Sequence, residues 1–505
     1  MTSQGQTSQG ESTPTLRSKV LRGLAWKVVS QLYGLVWQTA VAITLARLLA
    51  PEDFGLAAMV IVFAAIVPVF SDLALGSALV QRRELSEADR STVFWVSTAV
   101  GAGFTVLGIA LSWPLAAFYG APEVQPLLAA LSLAFVVTAL GTTQRALLTR
   151  EMNFKSLELR LMLGNFVAGV AGIVLAATGF GAWAIIGQQI ILAVVSTFLL
   201  WRFSTWRPRL VFSTESFRSL AGFGLNVLGT RVLFYGNRNA DNILIGRVLG
   251  AGPLGVYALA YNIMLAPLGR IGWPIGEVLY PAFSRLQDEP ERTAQAWVRI
   301  NRLVGALTVP AMLGLIVVAP EFVTVVLGER WRDAEPVIRL LAWVGLLQSL
   351  GTLNSAILRA RDRTGTLLRY AAVAFVASLV GFVVGIEWGV VGVAAGYAIA
   401  STFVEPLYAW LTARALDAPA LALPRGLRGI FEAGGAMTVC VLAAQAALPA
   451  DLHAAWRLLL LVLLGAAVYV PLCAWREPAI LGELREVARN RAGRPGRLSP
   501  VQPTS

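Results

Sequence analysis

Three arginines, Arg231, Arg238 and Arg270, stand inside apolar stretches long enough to cross a bilayer. An arginine at the centre of a membrane helix costs about 2.5–3.5 kcal/mol on insertion scales, so it is kept where it faces a polar cavity or pathway. Arg231, Tyr235, Arg238 and Asn242 recur at i, i+4, i+7 and i+11, which is one face of a helix. Their two guanidinium groups start roughly 10 Å apart along the axis. Fixed positive charge at mid-depth is the chemistry of anion handling, because a guanidinium grips phosphate oxygens in pairs. Asp241 can pair with Arg238 along the helix, yet one acid does not neutralise two arginines. Arg270 lies between Pro267 and Pro274, where holding a kinked backbone together is an equal alternative.

The elements that position these residues are membrane helices. Hydrophobic residues make up 56% of the chain and charged residues 14%, and mean hydropathy is +0.67, outside the globular range. Fourteen spans are expected, at about 24–46, 55–80, 91–112, 124–148, 158–178, 182–201, 219–248, 255–280, 300–319, 335–357, 367–386, 389–413, 428–448 and 455–475. The first is read as a retained helix, since no small-residue cleavage site ends a short apolar region. With the N-terminus inside, most of the 41 lysines and arginines fall in inner segments, from Arg17, Lys19, Arg22 and Lys27 to the basic tail beyond Glu477. That bias sets orientation and places both termini in the cytoplasm. A short basic helix carrying Leu481, Leu484 and Val487 is expected at the membrane surface.

The net charge of +12 is spread over short loops rather than gathered on a soluble face, which excludes a nucleic-acid groove. His453 is the only histidine, and Cys440 and Cys473 are the only cysteines. No His-based metal centre, disulfide framework or Cys/His catalytic pair is therefore expected, and no cofactor is implied. The loops are too short for a catalytic or nucleotide-binding domain, so the chain reads as a transporter and not as an enzyme.

An internal repeat supports this. At a shift of 200, Ala40, Ile43, Arg47, Leu49, Gly55 and Ala58 meet Ala240, Ile243, Arg247, Leu249, Gly255 and Ala258. At 210, Leu140-Gly141-Thr142 meets Leu350-Gly351-Thr352, and Gly179 meets Gly389. Two parallel copies of six spans follow, with the substrate expected between them. Gln31 and Gln38 occupy the places of Arg231 and Arg238, and Ala42 that of Asn242. The expected organisation is a cytoplasmic arm (1–23), an N-lobe (24–202), a cytoplasmic linker (203–216), a C-lobe (217–413), two further spans (428–475) and a basic cytoplasmic tail (476–505).

Arg47 and Arg247 are expected to anchor the outer ends of their helices. Among the acids in or near spans, Asp72, Asp241, Glu277, Glu387 and Glu405, simple charge pairing is the default. A coupling ion would use Asp241 or Glu277. Gly385/Gly389 and Gly392/Gly396 have the small-xxx-small spacing that lets membrane helices approach.

The Trp26-Lys27 helix runs into Leu45-Ala46-Arg47-Leu48-Leu49-Ala50-Pro51-Glu52-Asp53-Phe54-Gly55. The second copy carries Asp241-Asn242-Ile243-Leu244-Ile245-Gly246-Arg247 and Gly255-Val256-Tyr257. With these residues the chain resembles the Wzx-like polysaccharide flippases of the multidrug/oligosaccharidyl-lipid/polysaccharide superfamily, of the colanic-acid-exporter or lipopolysaccharide-biosynthesis type. The resemblance implies an all-α membrane fold of fourteen helices, two six-helix lobes in a V shape around a central cavity plus two C-terminal helices. It also implies an undecaprenyl-diphosphate-linked oligosaccharide turned from the cytoplasmic to the outer leaflet of the bacterial inner membrane. Arg231, Arg238 and Arg270 would meet the diphosphate, and Gln31, Gln38, Tyr235, Asn237, Asn239 and Asn242 the sugar. Membrane lipids and the polysaccharide polymerase and export machinery are the further candidate partners. The rivals are a cation-coupled multidrug exporter of the same superfamily, which calls for an acidic, aromatic cavity, a membrane enzyme of lipid-linked glycans, and a structural scaffold.

Overall fold

A computed structural model describes residues 16–64, 76, 79–80, 82, 84–214, 239–267, 269, 283, 285, 289–449, 451–478 and 482. The helices in chain order are α1 (Leu16–Leu48), α2 (Pro51–Ala64), α3 (Glu87–Tyr119), α4 (Val124–Ala139), α5 (Thr142–Arg150), α6 (Phe154–Ala177), α7 (Trp183–Phe203), α8 (239–248) and α9 (Ala251–Pro267). They continue as α10 (Pro290–Val317), α11 (Ala334–Gly351), α12 (Asn354–Ala360), α13 (Thr364–Gly385), α14 (Gly389–Ala415), α15 (Ala422–Ala447) and α16 (Ala454–Arg476). Among the described residues there is no strand. A helix satisfies its own N–H and C=O groups, which hydrocarbon cannot do.

Local chemistry sets the ends. Ser86 begins α3 with a reciprocal capping box: its Oγ accepts from the Asp89 N–H, and its own N–H donates to Asp89 Oδ2, both at 3.0 Å. Gly120, at φ 66°, closes α3 in the left-handed conformation. Asn153 caps α6 through the Ser156 N–H at 3.2 Å.

Nine of the described stretches are long and apolar enough to cross a membrane, or ten when the bent pair α4–α5 is one span. One of the nine, Thr364–Ala415, is 52 residues long. A straight helix of that length would measure about 78 Å, more than twice the hydrocarbon core. It is instead a hairpin, α13 and α14, turned at Gly389 with φ 70°. A described helix falls in the range of every expected span, and the second, seventh and eighth spans are described only in part. Asp72 and the tail residues Leu481, Leu484 and Val487 lie outside the described residues.

Contacts divide the chain into two compact units, residues 1–252 and 253–505. In the first unit α1 lies on α6, α3 on α4, and α7 on both α4 and α6. Val41 and Leu45 of α1, and Leu49 just after it, pack with Ala176 and Ala184. Near the start of α2, close backbone approach explains Gly55: a Cβ there would fall 1.8 Å from the Ala251 carbonyl oxygen. In the second unit α10 packs on α11 and α15, α11 and α13 on α14, and α15 on α16. Trp297, Met312, Leu346, Ile430, Met437 and Leu461 belong to its core. Large apolar side chains such as Val36, Phe198 and Phe403 are left on the outside, at 71%, 66% and 73% exposure, as a lipid environment permits.

The repeat is written in the backbone as well as in the side chains. Adding 210 carries α4 (124–139) to 334–349 and α6 (154–177) to 364–387, against α11 at 334–351 and α13 at 364–385. Met152 (φ 56°) falls on Asp362 (φ 53°), and Gly179 (φ 83°) on Gly389 (φ 70°). Positive φ costs a non-glycine residue, so the coincidence at Met152 and Asp362 reflects one shared turn.

The small-residue contact differs in one respect from the expected pairing. Gly389 makes the turn, and Gly381 takes its place in the packing. Gly381 faces Gly396 and Gly385 faces Gly392, so closely that a Cβ on Gly396 or Gly385 would lie 2.1 or 2.2 Å from the opposite carbonyl oxygen.

Candidate functional site

Helix α1 has two faces. Trp37, Val41 and Leu45 turn inward, and Trp37 Nε1 donates to the Asn165 carbonyl at 2.9 Å. Gln31, Leu35, Gln38 and Ala42, at i, i+4, i+7 and i+11, are all exposed on the other side of the helix. The two amides expected to meet substrate therefore share a face that their own unit leaves uncovered. In hydrocarbon an amide without a partner costs several kcal/mol, so such a stripe belongs beside water or a polar ligand.

The second copy of this stripe is described from residue 239 onward. Arg231, Tyr235, Arg238 and Asn237 lie outside the described residues, as do Arg270 and Glu277. Asp241 is 4% exposed, and its Oδ1 accepts from the Asn242 N–H at 2.8 Å. Asn242 is half-buried, and its Oδ1 has no hydrogen-bond partner. An unused acceptor at this position is suited to a hydroxyl donor. At the end of α8 the Arg247 guanidinium stands 5.6 Å over the Phe118 ring, as an end anchor would.

Glu405 departs from the default of charge pairing. Its described hydrogen bond comes from the Tyr370 hydroxyl at 3.4 Å, and Tyr370 stacks on Tyr408 at 3.8 Å between centroids. Glu405 lines a largely apolar cavity of about 680 Å³ in the second unit, with Asn354 inside and Arg425, Arg428 and Glu432 also on its wall. The Asn354 Nδ2 is buried without a partner, while its Oδ1 accepts from Trp297 Nε1 at 3.0 Å. A second cavity, of about 300 Å³, lies in the first unit and is lined by Arg145 and Arg160. Hydropathy reading passes over both, because residues at the end of a span look like loop residues.

Buried charge also appears at the start of α16. Arg457 Nε lies 3.0 Å from Glu321 Oε1, with side-chain exposures of 21% and 8%. Its N–H points off that axis, so the contact is Coulombic rather than a hydrogen bond. Gln445 Nε2 completes the site, donating to both Glu321 oxygens at 2.9 and 3.1 Å. Cys440 and Cys473 are free thiols, and the His453 ring caps α16 by accepting from the Ala455 N–H. Among the described residues no His/Cys/Asp/Glu group has the makings of a metal site.

A family model described as polysaccharide biosynthesis protein matches residues 44–336. The lipopolysaccharide biosynthesis protein WzxC of Escherichia coli is 32% identical over 76% of this chain and 78% of its own. The succinoglycan biosynthesis transport protein ExoT of Rhizobium meliloti is 28% identical over 95% of this chain and 98% of its own. The teichuronic acid biosynthesis protein TuaB of Bacillus subtilis is 26% identical over 74% and 80%. Among solved structures, the lipid II flippase MurJ in an inward closed conformation aligns with a TM-score of 0.73 at 16% identity, over 91% of this chain and 100% of that one. An inward-facing multidrug resistance MATE family transporter aligns at 0.61, also at 16% identity, over 79% and 95%. At that identity both likenesses concern the fold alone.

Proposed function

The chain belongs to the family of polysaccharide biosynthesis proteins, and from that premise we propose that it flips an undecaprenyl-diphosphate-linked oligosaccharide from the cytoplasmic to the outer leaflet of the bacterial inner membrane. It is a multi-pass membrane transporter of polysaccharide biosynthesis and not an enzyme. The observation that carries the reading is its likeness to a polysaccharide transport protein over 95% of its length, both units included.

The chemistry supports the same substrate. A sugar headgroup does not cross hydrocarbon unaided, since each unsatisfied polar group costs several kcal/mol. In the proposed architecture fourteen helices form two six-helix lobes, 24–202 and 217–413, in a V shape, followed by spans 13 and 14. Both termini are cytoplasmic. Arg231, Arg238 and Arg270 hold the diphosphate, while Gln31, Gln38, Tyr235 and Asn242 hydrogen-bond the sugars. The lipid tail stays in the bilayer while the headgroup crosses. Asp241 and Glu277 are the proposed coupling carboxylates, and the partners are the lipid-linked substrate, membrane lipids and the polymerase and export machinery.

The test is the double variant Arg231→Ala/Arg238→Ala in a strain lacking the native gene. Surface polysaccharide should disappear while membrane abundance of the protein is unchanged. Arg→Lys at both positions should restore export in part, because lysine keeps the charge and loses the planar fork. Normal export by the double-alanine variant would sink the assignment.

A further inference from the structure

The 300 Å³ cavity of the first unit is bounded by α4, α5, α6 and α7. Its charged lining residues are both arginines, Arg145 from α5 and Arg160 from the first turns of α6, and its described wall holds no carboxylate. Thr138, Thr142, Gln189 and Ser196 add hydroxyl and amide groups from three of the helices. The Arg160 Nε is shielded from solvent and has no hydrogen-bond partner. Leaving a charged donor unpaired in such a place is costly, and the cost is recovered when an anion arrives. Arg145 and Arg160 line the cavity together, and Glu158, on the same helix as Arg160, does not line it.

The repeat supplies an internal comparison. At the 210 shift, Arg145 falls on Ser355 and Arg160 on Tyr370. Gly141 and Gly351 mark the same place in the two units. A Cβ on Gly141 would meet Leu200 and Thr197, and one on Gly351 would meet Glu405 and Tyr408. In the second unit the Tyr370 hydroxyl on Glu405 and the Tyr370–Tyr408 stack stand at this place, beside the larger cavity that Gly351 and Glu405 line. The repeat positions of Arg145 and Arg160 thus hold no arginine in the second unit, so the duplicated helical frame does not itself require guanidinium groups there.

We propose that this cavity is a binding site for a phosphate or diphosphate group, built from residues other than Arg231, Arg238 and Arg270. Its volume sits at the bottom of the small-molecule range, which admits a phosphate-bearing group and leaves the oligosaccharide outside. Paired guanidiniums supply bidentate contacts to phosphate oxygens, and Gln189 and Ser196 supply neutral donors. The group has two sources, a soluble phosphate or the phosphate end of a membrane-anchored lipid.

The experiment reads binding, so it needs no transport and stands apart from the flippase assignment. Full-length protein is placed in phosphatidylethanolamine nanodiscs and titrated with inorganic pyrophosphate by calorimetry. In a second arm, nanodiscs doped with undecaprenyl phosphate are examined by native mass spectrometry. Wild type should bind at least one of the two probes, and Arg145→Gln/Arg160→Gln should weaken that binding at least tenfold. Binding of pyrophosphate assigns a soluble phosphate source, and binding of undecaprenyl phosphate alone assigns the lipid. Gln189→Leu should weaken the same probe several-fold, and Arg160→Lys should retain an intermediate affinity. These two variants carry the test where the double variant fails to fold. Failure of wild type to bind either probe, or binding unchanged in all of these variants, overturns the proposal.

Discussion

Replacing Gly396 by alanine pits two effects of known sign against each other. Inside a helix, alanine is favoured over glycine by about 0.8–1 kcal/mol, so propensity alone stabilises the variant. The α13–α14 hairpin opposes that gain. A Cβ at Gly396 would fall 2.1 Å from the Gly381 carbonyl oxygen, 2.6 Å from its carbonyl carbon and 2.9 Å from its Cα. All three are backbone atoms, so no side chain can rotate away. A carbon–oxygen contact is comfortable from about 3.3 Å, so the two helices must part by roughly 1.2 Å along most of the hairpin. Overpacking of this kind costs about 1–3 kcal/mol, and the C–H···O contacts between the helices weaken as well. The expected net effect of Gly396→Ala is a loss of up to about 2 kcal/mol. Gly435 of α15 is the internal control, because a Cβ there would have nothing within 4 Å. Gly435→Ala should therefore gain up to about 1 kcal/mol. Unfolding free energies measured by steric trapping in bicelles compare the two variants in one environment. The opposite signs are the test: a Gly396→Ala variant as stable as Gly435→Ala would mean that the hairpin does not depend on this close approach.

Three further outcomes follow from named contacts. Arg457→Met should cost about 3 kcal/mol, the low end for a broken buried ion pair because 21% of the Arg457 side chain is exposed. Adding Glu321→Gln should recover most of that loss in the same unfolding assay, and no recovery would show that packing rather than charge is at stake. Ser86→Ala should remove about 1 kcal/mol through its half of the capping box, and Asp89 should then show faster amide hydrogen exchange than in wild type. Asp241→Asn should bind lipid-linked oligosaccharide in vesicles at least as tightly as wild type yet flip it more slowly. Flipping at the wild-type rate with an unchanged response to an imposed ion gradient would remove Asp241 from the coupling mechanism.

What could be read from the residues alone was whatever repeats at short range. Helical spans are legible because apolar runs must cover a fixed thickness. The stripe Gln31–Leu35–Gln38–Ala42 is legible because helical periodicity alone puts those side chains on one face, and the structure leaves that face exposed. The repeat was legible as matched residues, and the backbone then matched it down to the positive φ of Met152 and Asp362. The glycine spacing gave the right helices with Gly389 in the wrong role, since spacing does not distinguish a packing glycine from one that turns the chain.

Contacts between distant segments were not legible, and they decide which charges matter. Gln445 lies 124 positions from the Glu321 carboxylate it holds, and no periodicity links them. Arg145 and Arg160 were indistinguishable from loop arginines, because a charge tally along the chain scores a residue by its distance from a span and ignores what stands beside it in space. The asymmetry between the copies sharpens the point. Where α1 has the neutral amides Gln31 and Gln38, the matching positions in sequence are Arg231 and Arg238. Where one unit has arginines between α5 and α6, the other has Ser355 and Tyr370. A duplicated frame has thus kept turns and glycines, and Arg47 with Arg247, while the residues at 31, 38, 145 and 160 differ from their counterparts. Turn geometry is constrained in each copy separately, since a lost positive-φ residue or close-packed glycine destabilises whichever copy loses it. Charge is constrained only by what the two copies together must hold, which leaves arginines and carboxylates free to differ between the copies while the helices stay alike.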